Sequence, residues 1–381
     1  MLTKPIGRME EALSAIAGLA PLVAEHRAHF DRERRLPDIV FAALADAGLF
    51  RLWLPKPLGG PGFSPLEFMQ IVEAAASLDG SIGWLVGNGG GMSRAAGHVP
   101  EEVARGWFAD PRAFVVAATG AVGSAKPCEG GYRISGRWPF GSGAHHASRF
   151  MGLASVRDGG REEPPLCCFL SPGQVKVHDT WHVSGLRGTG SCDFEADDVF
   201  VPLAHTYALS DLPQTQPGVA YRLPSMSVFP WTVSVVPLGI ARGVIEAFAT
   251  VSKTKTRAGI ALRDREATQI AMGRATALLR SGRAFLSNAM TDLVEALDGD
   301  EESLVQARVM LRLACTLAGE SALRIADLLA SEAGTAAIFE SCTIERSVRD
   351  IQAATKHIAM SANNYGIGGR HALGMDPGPK F

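Results

Sequence analysis

"GLRGTGSCDFEADDVFVP", residues 185–202, runs from a glycine-bracketed hydroxyl loop through an acidic turn into a strand ending in Val-Pro. Glycines flank Thr189, so backbone amides and small hydroxyls can approach a ligand closely there. Taken alone, the stretch is a β-hairpin with a polar loop, a structural element. Its surroundings add to this. From about residue 112, "AFVVAA", "GYRISGRW", "RFMGLASV", "LCCFLS", "VKVHD" and "DFEADDVFVP" are short runs separated by Gly, Pro, Asp and Glu. That length and turn spacing suit an antiparallel all-β unit.

The texture on both sides is helical. Met9, Leu13, Ile16, Val23 and Phe30 fall near one helical face. Pro37 sits where a first-turn proline belongs, Ile39 to Ala47 follow, and Gly48 provides a stop. "SPLE" at 64–67 is a capping box opening a helix. A further helix is expected over 82–96, loosened or broken by "GNGGG" at 87–91. Beyond Tyr221, Leu311, Cys315, Ala318, Ala322, Ile325 and Leu329 repeat at spacings of four and three, the core seam of one long helix. Long helices are also expected over 236–252, 264–297 and 336–364, with "DLPQTQPG" at 211–218 as the linker. The expected fold is α+β and mostly α: an N-terminal helical domain (1–111), a central antiparallel β domain (112–218) and a C-terminal antiparallel helical bundle (219–381).

Composition narrows the function. With 381 residues, 46% hydrophobic and net charge −2, the chain can bury large cores and lacks the charge excess of a nucleic-acid or membrane-surface binder. The six cysteines, 128, 167, 168, 192, 315 and 342, form no CxxC pair and read as buried thiols of a reducing compartment. No signal peptide is apparent, and no window reaches the roughly 18 apolar residues of a membrane span. A cytoplasmic location is expected.

Most motifs have plain readings. "VGNGGG" (86–91) lacks the Lys-Ser/Thr of a phosphate loop and follows no strand, so it marks close helix packing or close backbone approach to a ligand. His145-His146 and Cys167-Cys168 are adjacent pairs that point apart, and no metal site is expected. No GxSxG elbow is present.

The order of the pieces resembles the acyl-CoA dehydrogenase superfamily over nearly the whole chain. The resemblance rests on "GLRGTGSCDFEADDVFVP", on "GRWPFGSG" (136–143), and on "RD" at 349–350 leading into the last helix. It implies a flavin between the β domain and the C-terminal bundle, and a homotetramer. It places Phe140 against the flavin ring, Ser142 at flavin N5, Gly143 among the cofactor-binding residues, and Thr189 and Ser191 on the neighbouring strand. A flat apolar side chain suits a flat π-system, and a hydroxyl can donate or accept as N5 changes protonation.

A dehydrogenase of this family needs a carboxylate base. The matching stretches are "TKHIAMSA" (355–362) and "SVFPWTVS" (227–234), with Ile358 and Phe229 near the expected positions. Neither supplies an acid. The usual "EPGAGSD"-like segment is degraded to "ATGAVGSA" (118–125), and "RxxFG" to "KTRAG" (255–259). His357 stands in the C-terminal segment instead. Asp350, seven residues earlier, would lie on the same helix face about 10 Å away, a structural distance.

Ser142, "GLRGTGS" and a histidine after "RD" are similar to oxygenase components of two-component flavin monooxygenases, of the p-hydroxyphenylacetate and dibenzothiophene hydroxylase types. That resemblance implies reduced FMN or FAD from a separate NAD(P)H-dependent reductase, dioxygen, and a C4a-hydroperoxyflavin that oxidises a small aromatic or hydrophobic substrate. Ser142 would hold the N5 proton and His357 would position or deprotonate the substrate. Trp84, Asn88, Met92, Phe229 and Trp231 would line the pocket. Met92 stands where several such oxygenases carry a second histidine. The alternatives are a divergent acyl-CoA dehydrogenase or oxidase, with Glu246 as the nearest helical acid, and a non-catalytic assembly protein that kept the fold.

Overall fold

The computed structural model describes residues 7–158, 161–162, 164–210 and 212–378. Asp211, at the start of the expected linker, and the first six residues lie outside them. The chain begins with helices α1 (Met9–Gly18), α2 (Ala20–Glu33), α3 (Asp38–Asp46), α4 (Pro65–Leu78), α5 (Gly80–Met92) and α6 (Glu101–Trp107). Strands β1 (Val115–Cys128), β2 (Gly131–Gly141), β3 (Arg149–Asp158), β4 (Arg161–Glu162), β5 (Leu166–Leu170), β6 (Lys176–His178), β7 (Cys192–Pro202) and β8 (Thr206–Ala208) follow. The remaining helices are α7 (Val219–Arg222), α8 (Ser225–Thr254), α9 (Glu266–Ala296), α10 (Glu301–Ala333), α11 (Thr343–Ala354) and α12 (Asn363–Ala372).

These elements form two compact units. The first holds Met1–Phe68, Leu85–Val183 and Arg187–Ser225; the second holds Met69–Trp84, Ser184–Leu186 and Met226–Phe381. Helices α4 and α5 therefore each contribute to both.

In the first unit one sheet runs in the order β6-β7-β2-β1-β3-β5-β8, with β4 on β3. The expected antiparallel sheet is mixed instead. β1 and β3 run parallel, with a register shift between Ala118 and Val122, because the segment after β2 carries the chain past β1 to its other edge. Trp138, fully buried, anchors the sheet: its indole N–H donates to the Leu153 carbonyl at 2.8 Å and its ring stacks on Phe194. Gly123, Gly136 and Gly152 surround that indole, and a Cβ on any of them would come within 2.8 Å of it. Phe41, Phe50 and Phe114 form an aromatic cluster with ring centroids about 5 Å apart. Each buried ring stabilises the unit by about 1.5–3 kcal/mol.

Ser64 and Glu67 make the capping box as read: the Glu67 carboxylate accepts from the Ser64 N–H at 2.8 Å, and the Ser64 hydroxyl accepts from the Glu67 N–H. The glycine run does not break α5. Gly89 lies where a Cβ would sit 2.2 Å from the Phe114 ring, so the glycines admit close neighbours within a continuous helix.

The second unit is the helical bundle. The α10 seam residues Leu311, Cys315, Ala318, Ala322, Ile325 and Leu329 are all buried. By length and composition α8 is apolar enough to cross a membrane, contrary to the sequence expectation, and 78% of its most apolar window is buried. The long helix expected over 336–364 is broken up: the range holds the end of a 3-10 turn at Gly334–Ile338, then α11, a 3-10 turn at Ile358–Met360, and only the first residues of α12. Asp350 and His357 therefore do not share a helix face.

Asp350 belongs to a buried ionic cluster within this unit. Arg346 Nε donates to Asp79 at 3.1 Å and lies 3.8 Å from Asp350. Asp350 accepts from the Leu186 N–H at 2.6 Å, and Asp79 accepts from the Ser81 N–H at 2.9 Å. One guanidinium and two carboxylates thereby fix the first turn of α5, the 184–186 segment and α11.

Candidate functional site

β2 ends at an irregularity. Its register with β7 shifts between Trp138 and Gly141, and Phe140 takes a left-handed φ of +63° there. For a bulky residue this conformation costs about 1–2 kcal/mol. Its side chain is also 66% exposed, with Trp181 set edge-on at a ring distance of 6.4 Å. A strained backbone that turns a phenyl ring out of the core presents an apolar face for a flat ligand. Trp181 is not among the site residues picked from the sequence, although it opens the run "WHVSGLRGTGS" (181–191) that leads into the signature stretch.

Directly after Phe140, the "GSG" and "GTGS" segments lock together. The Gly143 N–H donates to the Thr189 carbonyl at 2.8 Å. The Ser142 and Ser191 hydroxyls are 2.8 Å apart, and those of Thr189 and Ser191 are 2.6 Å apart. All three residues are buried. Such a hydroxyl chain can reverse its donor–acceptor sense by rotation alone. Gly143 closes the turn at φ +81°, where a Cβ would meet the Phe114 ring at 2.5 Å. Four of the five residues expected around the cofactor, Ser142, Gly143, Thr189 and Ser191, are thus hydrogen-bonded together, and Phe140 adjoins them. His146 is spent on packing: it stacks on Phe41 and bonds the Leu36 carbonyl. No cluster of three metal-ligating side chains occurs among the described residues.

In the second unit, His357 caps the 3-10 turn rather than riding on a helix. Its Nδ1 accepts from the Ala359 N–H at 3.2 Å, so the ring proton sits on Nε2. Desolvation pushes the imidazole down to about 4, leaving it neutral at physiological pH. Trp84 stands edge-on to the ring, with centroids 5.8 Å apart. Nε2 is therefore a donor, suited to holding an oxygen atom in place. Phe229 is half-buried, whereas Trp231 is fully buried and its N–H donates to the Leu286 carbonyl, so Trp231 sits in the core of this unit. In the first unit Met92 is buried and Asn88 half-buried. Ile358 is 74% exposed, and Glu246 is tied to Arg242 in an exposed pair one turn away on α8. Neither position provides a desolvated base.

Comparisons agree with this chemistry. Residues 18–110 match the family model "Acyl-CoA dehydrogenase, N-terminal domain", and residues 231–362 match "Acyl-CoA dehydrogenase, C-terminal domain". The chain is 30% identical over 354 residues to an indole-3-acetate monooxygenase of Pseudomonas putida, covering 92% of this chain and 91% of that one. It is 28% identical over 403 residues to the oxygenase component of an FADH2-dependent resorcinol hydroxylase of Rhizobium, covering 98% and 96%. Its fold superposes on the crystal structure of 3-HSA hydroxylase from Rhodococcus sp. RHA1 with a TM-score of 0.90 at 25% identity, covering 97% and 98% of the two chains. A strained aromatic beside a buried hydroxyl chain, with no acid at either dehydrogenase position, sits in a chain that belongs to the acyl-CoA dehydrogenase superfamily, among its flavin-dependent monooxygenases.

Proposed function

We propose that this chain is the oxygenase component of a two-component system. It takes reduced FMN or FAD from a separate NAD(P)H-dependent reductase, with dioxygen, to hydroxylate or oxidise a small aromatic or hydrophobic substrate. It works as a homotetramer in the cytoplasm. The observation that carries the reading is the strained, exposed Phe140 next to the buried Ser142–Ser191–Thr189 chain. An isoalloxazine ring needs an apolar face over its rings and a reversible hydrogen-bond partner at its edge, and these residues fit both needs.

When bound, reduced flavin supplies the electrons that activate dioxygen. Phe140 covers the ring and excludes water from one side. Ser142 bonds N5 and holds its proton, while Ser191 and Thr189 orient the Ser142 hydroxyl. His357, with its proton on Nε2, donates to a substrate oxygen and fixes the orientation of the molecule to be oxidised. Trp84 orients the imidazole, and Phe229, in the same unit, supplies further pocket wall. Indole-3-acetate and resorcinol, named in the relatives' activities, are both small aromatic molecules, which supports that substrate class.

The hydroxyl chain gives a direct test. Ser142→Ala removes one hydrogen bond, worth about 1 kcal/mol, and is expected to shorten the lifetime of the oxygenated enzyme–flavin state by about fivefold while product per flavin falls and hydrogen peroxide rises. Rapid-mixing absorbance with peroxide assay measures both. An unchanged lifetime removes Ser142 from the mechanism.

A further inference from the structure

In the first unit, Arg94 lies in the 3-10 segment Ser93–Gly97 that follows α5 and is 1% exposed. Its Nη2 donates to the Leu223 carbonyl at 2.8 Å, whereas Nε and Nη1 are buried without a partner. The groups that act on it electrostatically are Tyr207, Cys167 and Tyr221. Burial raises the pKa of all three, so they stay neutral, and Arg94, drawn down to about 10, stays protonated. The guanidinium is thus a buried cation with no carboxylate paired to it among the described residues. Buried charges are ordinarily paired, because the desolvation cost is otherwise uncompensated.

His98, one turn further on, repeats the pattern. It is 2% exposed, and its Nδ1 donates to the Pro213 carbonyl at 2.8 Å, which leaves Nε2 buried and without a partner. Its ring lies 5.3 Å from that of Tyr207 and 6.3 Å from that of Tyr221.

We propose that Arg94 and His98 form a buried site for a small monovalent anion of the carboxylate kind, which supplies the missing countercharge. The anion accepts from Arg94 Nε and Nη1. Burial first, and the Arg94 charge second, keep a proton off His98; an anion beside both groups offsets the two effects together, so that Nε2 takes up a proton and becomes a further donor. Tyr207 on β8, Tyr221 on α7 and Cys167 on β5 are the other titratable groups around the pair; all remain protonated, so His98 alone exchanges a proton. The carboxylate comes either from a free small acid or from the side arm of an aromatic acid.

The full chain without flavin is titrated at constant ionic strength with formate and, separately, with phenylacetate. Thermal unfolding and calorimetry in buffers of different ionisation heat are recorded. A saturable rise in midpoint with proton uptake is expected, with about tenfold weaker binding in Arg94→Met, the loss of a charge-assisted contact. Binding of formate points to a free acid, and binding of phenylacetate alone points to an aromatic acid; both support the site. Absence of a saturable response to either anion in the unsubstituted protein overturns it and leaves buried water only. An equal response in Arg94→Met overturns it as well. If that variant does not fold, Arg94→Lys, which keeps the charge, is expected to retain binding, and its loss there alongside an intact fold overturns the proposed charge pairing.

Discussion

His357→Ala is expected to lower product formation about a hundredfold while flavin oxidation by dioxygen continues, so that reducing equivalents appear as hydrogen peroxide. The size follows from the role. The imidazole is neutral, its Nδ1 is occupied by the Ala359 N–H, and only Nε2–H is available to a substrate. Losing a positioning hydrogen bond misorients the reacting atom, and small misplacements of that kind cost about two orders of magnitude. The pH profile distinguishes positioning from base catalysis. Because desolvation holds the imidazole at about 4, against an ordinary value of 6.5, it does not titrate between pH 5 and 8, and product formation should show no His357-dependent step there. A step near 6.5 that vanishes in His357→Ala would make the residue a titrating base. The same shift bears on stability. The folded-state value lies below the unfolded one, so the contribution is present above pH 6.5 and is lost as the pH falls toward 4.

Asp79→Ala is expected to cost about 3–5 kcal/mol of stability, read as a lower denaturant midpoint with an unchanged slope. The substitution removes the carboxylate that the buried Arg346 Nε donates to, leaving Asp350 3.8 Å away, and removes the acceptor for the Ser81 N–H at the start of α5. Asp79→Asn keeps a side-chain acceptor for that N–H and should cost less, since only the charge is lost. Equal costs would mean that the cap matters and the ion pair does not. A cost below about 1 kcal/mol for Asp79→Ala would mean that the 184–186 segment and α11 are held by packing alone.

What the sequence reveals depends on how local the governing interactions are. The α10 seam and the Ser64–Glu67 box are set by neighbours three or four residues away, and both form as read. The glycines of α5 look like helix breakers until their neighbours, distant in sequence, are seen to occupy the space side chains would fill: Phe114 at Gly89 and Leu52 at Gly90. The parallel β1–β3 pair is likewise non-local, decided by where the chain goes after β2 rather than by the residues of either strand. At the site, the hydroxyls of Ser142, Thr189 and Ser191 were picked out through family resemblance, and their mutual hydrogen bonds give that choice a physical basis. The left-handed Phe140 was not legible, because nothing in "WPFG" requires a positive φ at a phenylalanine. The position of His357 after the helix end was missed for a related reason. The run from "ERSVRD" into "TKHIAM" has no glycine or proline stop, yet the helix ends at Ala354, and His357 then caps the following 3-10 turn by accepting the Ala359 N–H.

The central claim is that this chain turns reduced flavin and dioxygen toward an organic substrate rather than drawing hydride from an acyl thioester. It is tested most directly by loading the protein anaerobically with reduced flavin and mixing it rapidly with oxygenated buffer, with and without a small aromatic substrate. A transient absorbance unlike that of either reduced or oxidised flavin is predicted, decaying more slowly than free flavin reoxidises and yielding oxygenated product when substrate is present. Reoxidation in one step at the free-solution rate, with no such transient and no product, would contradict it.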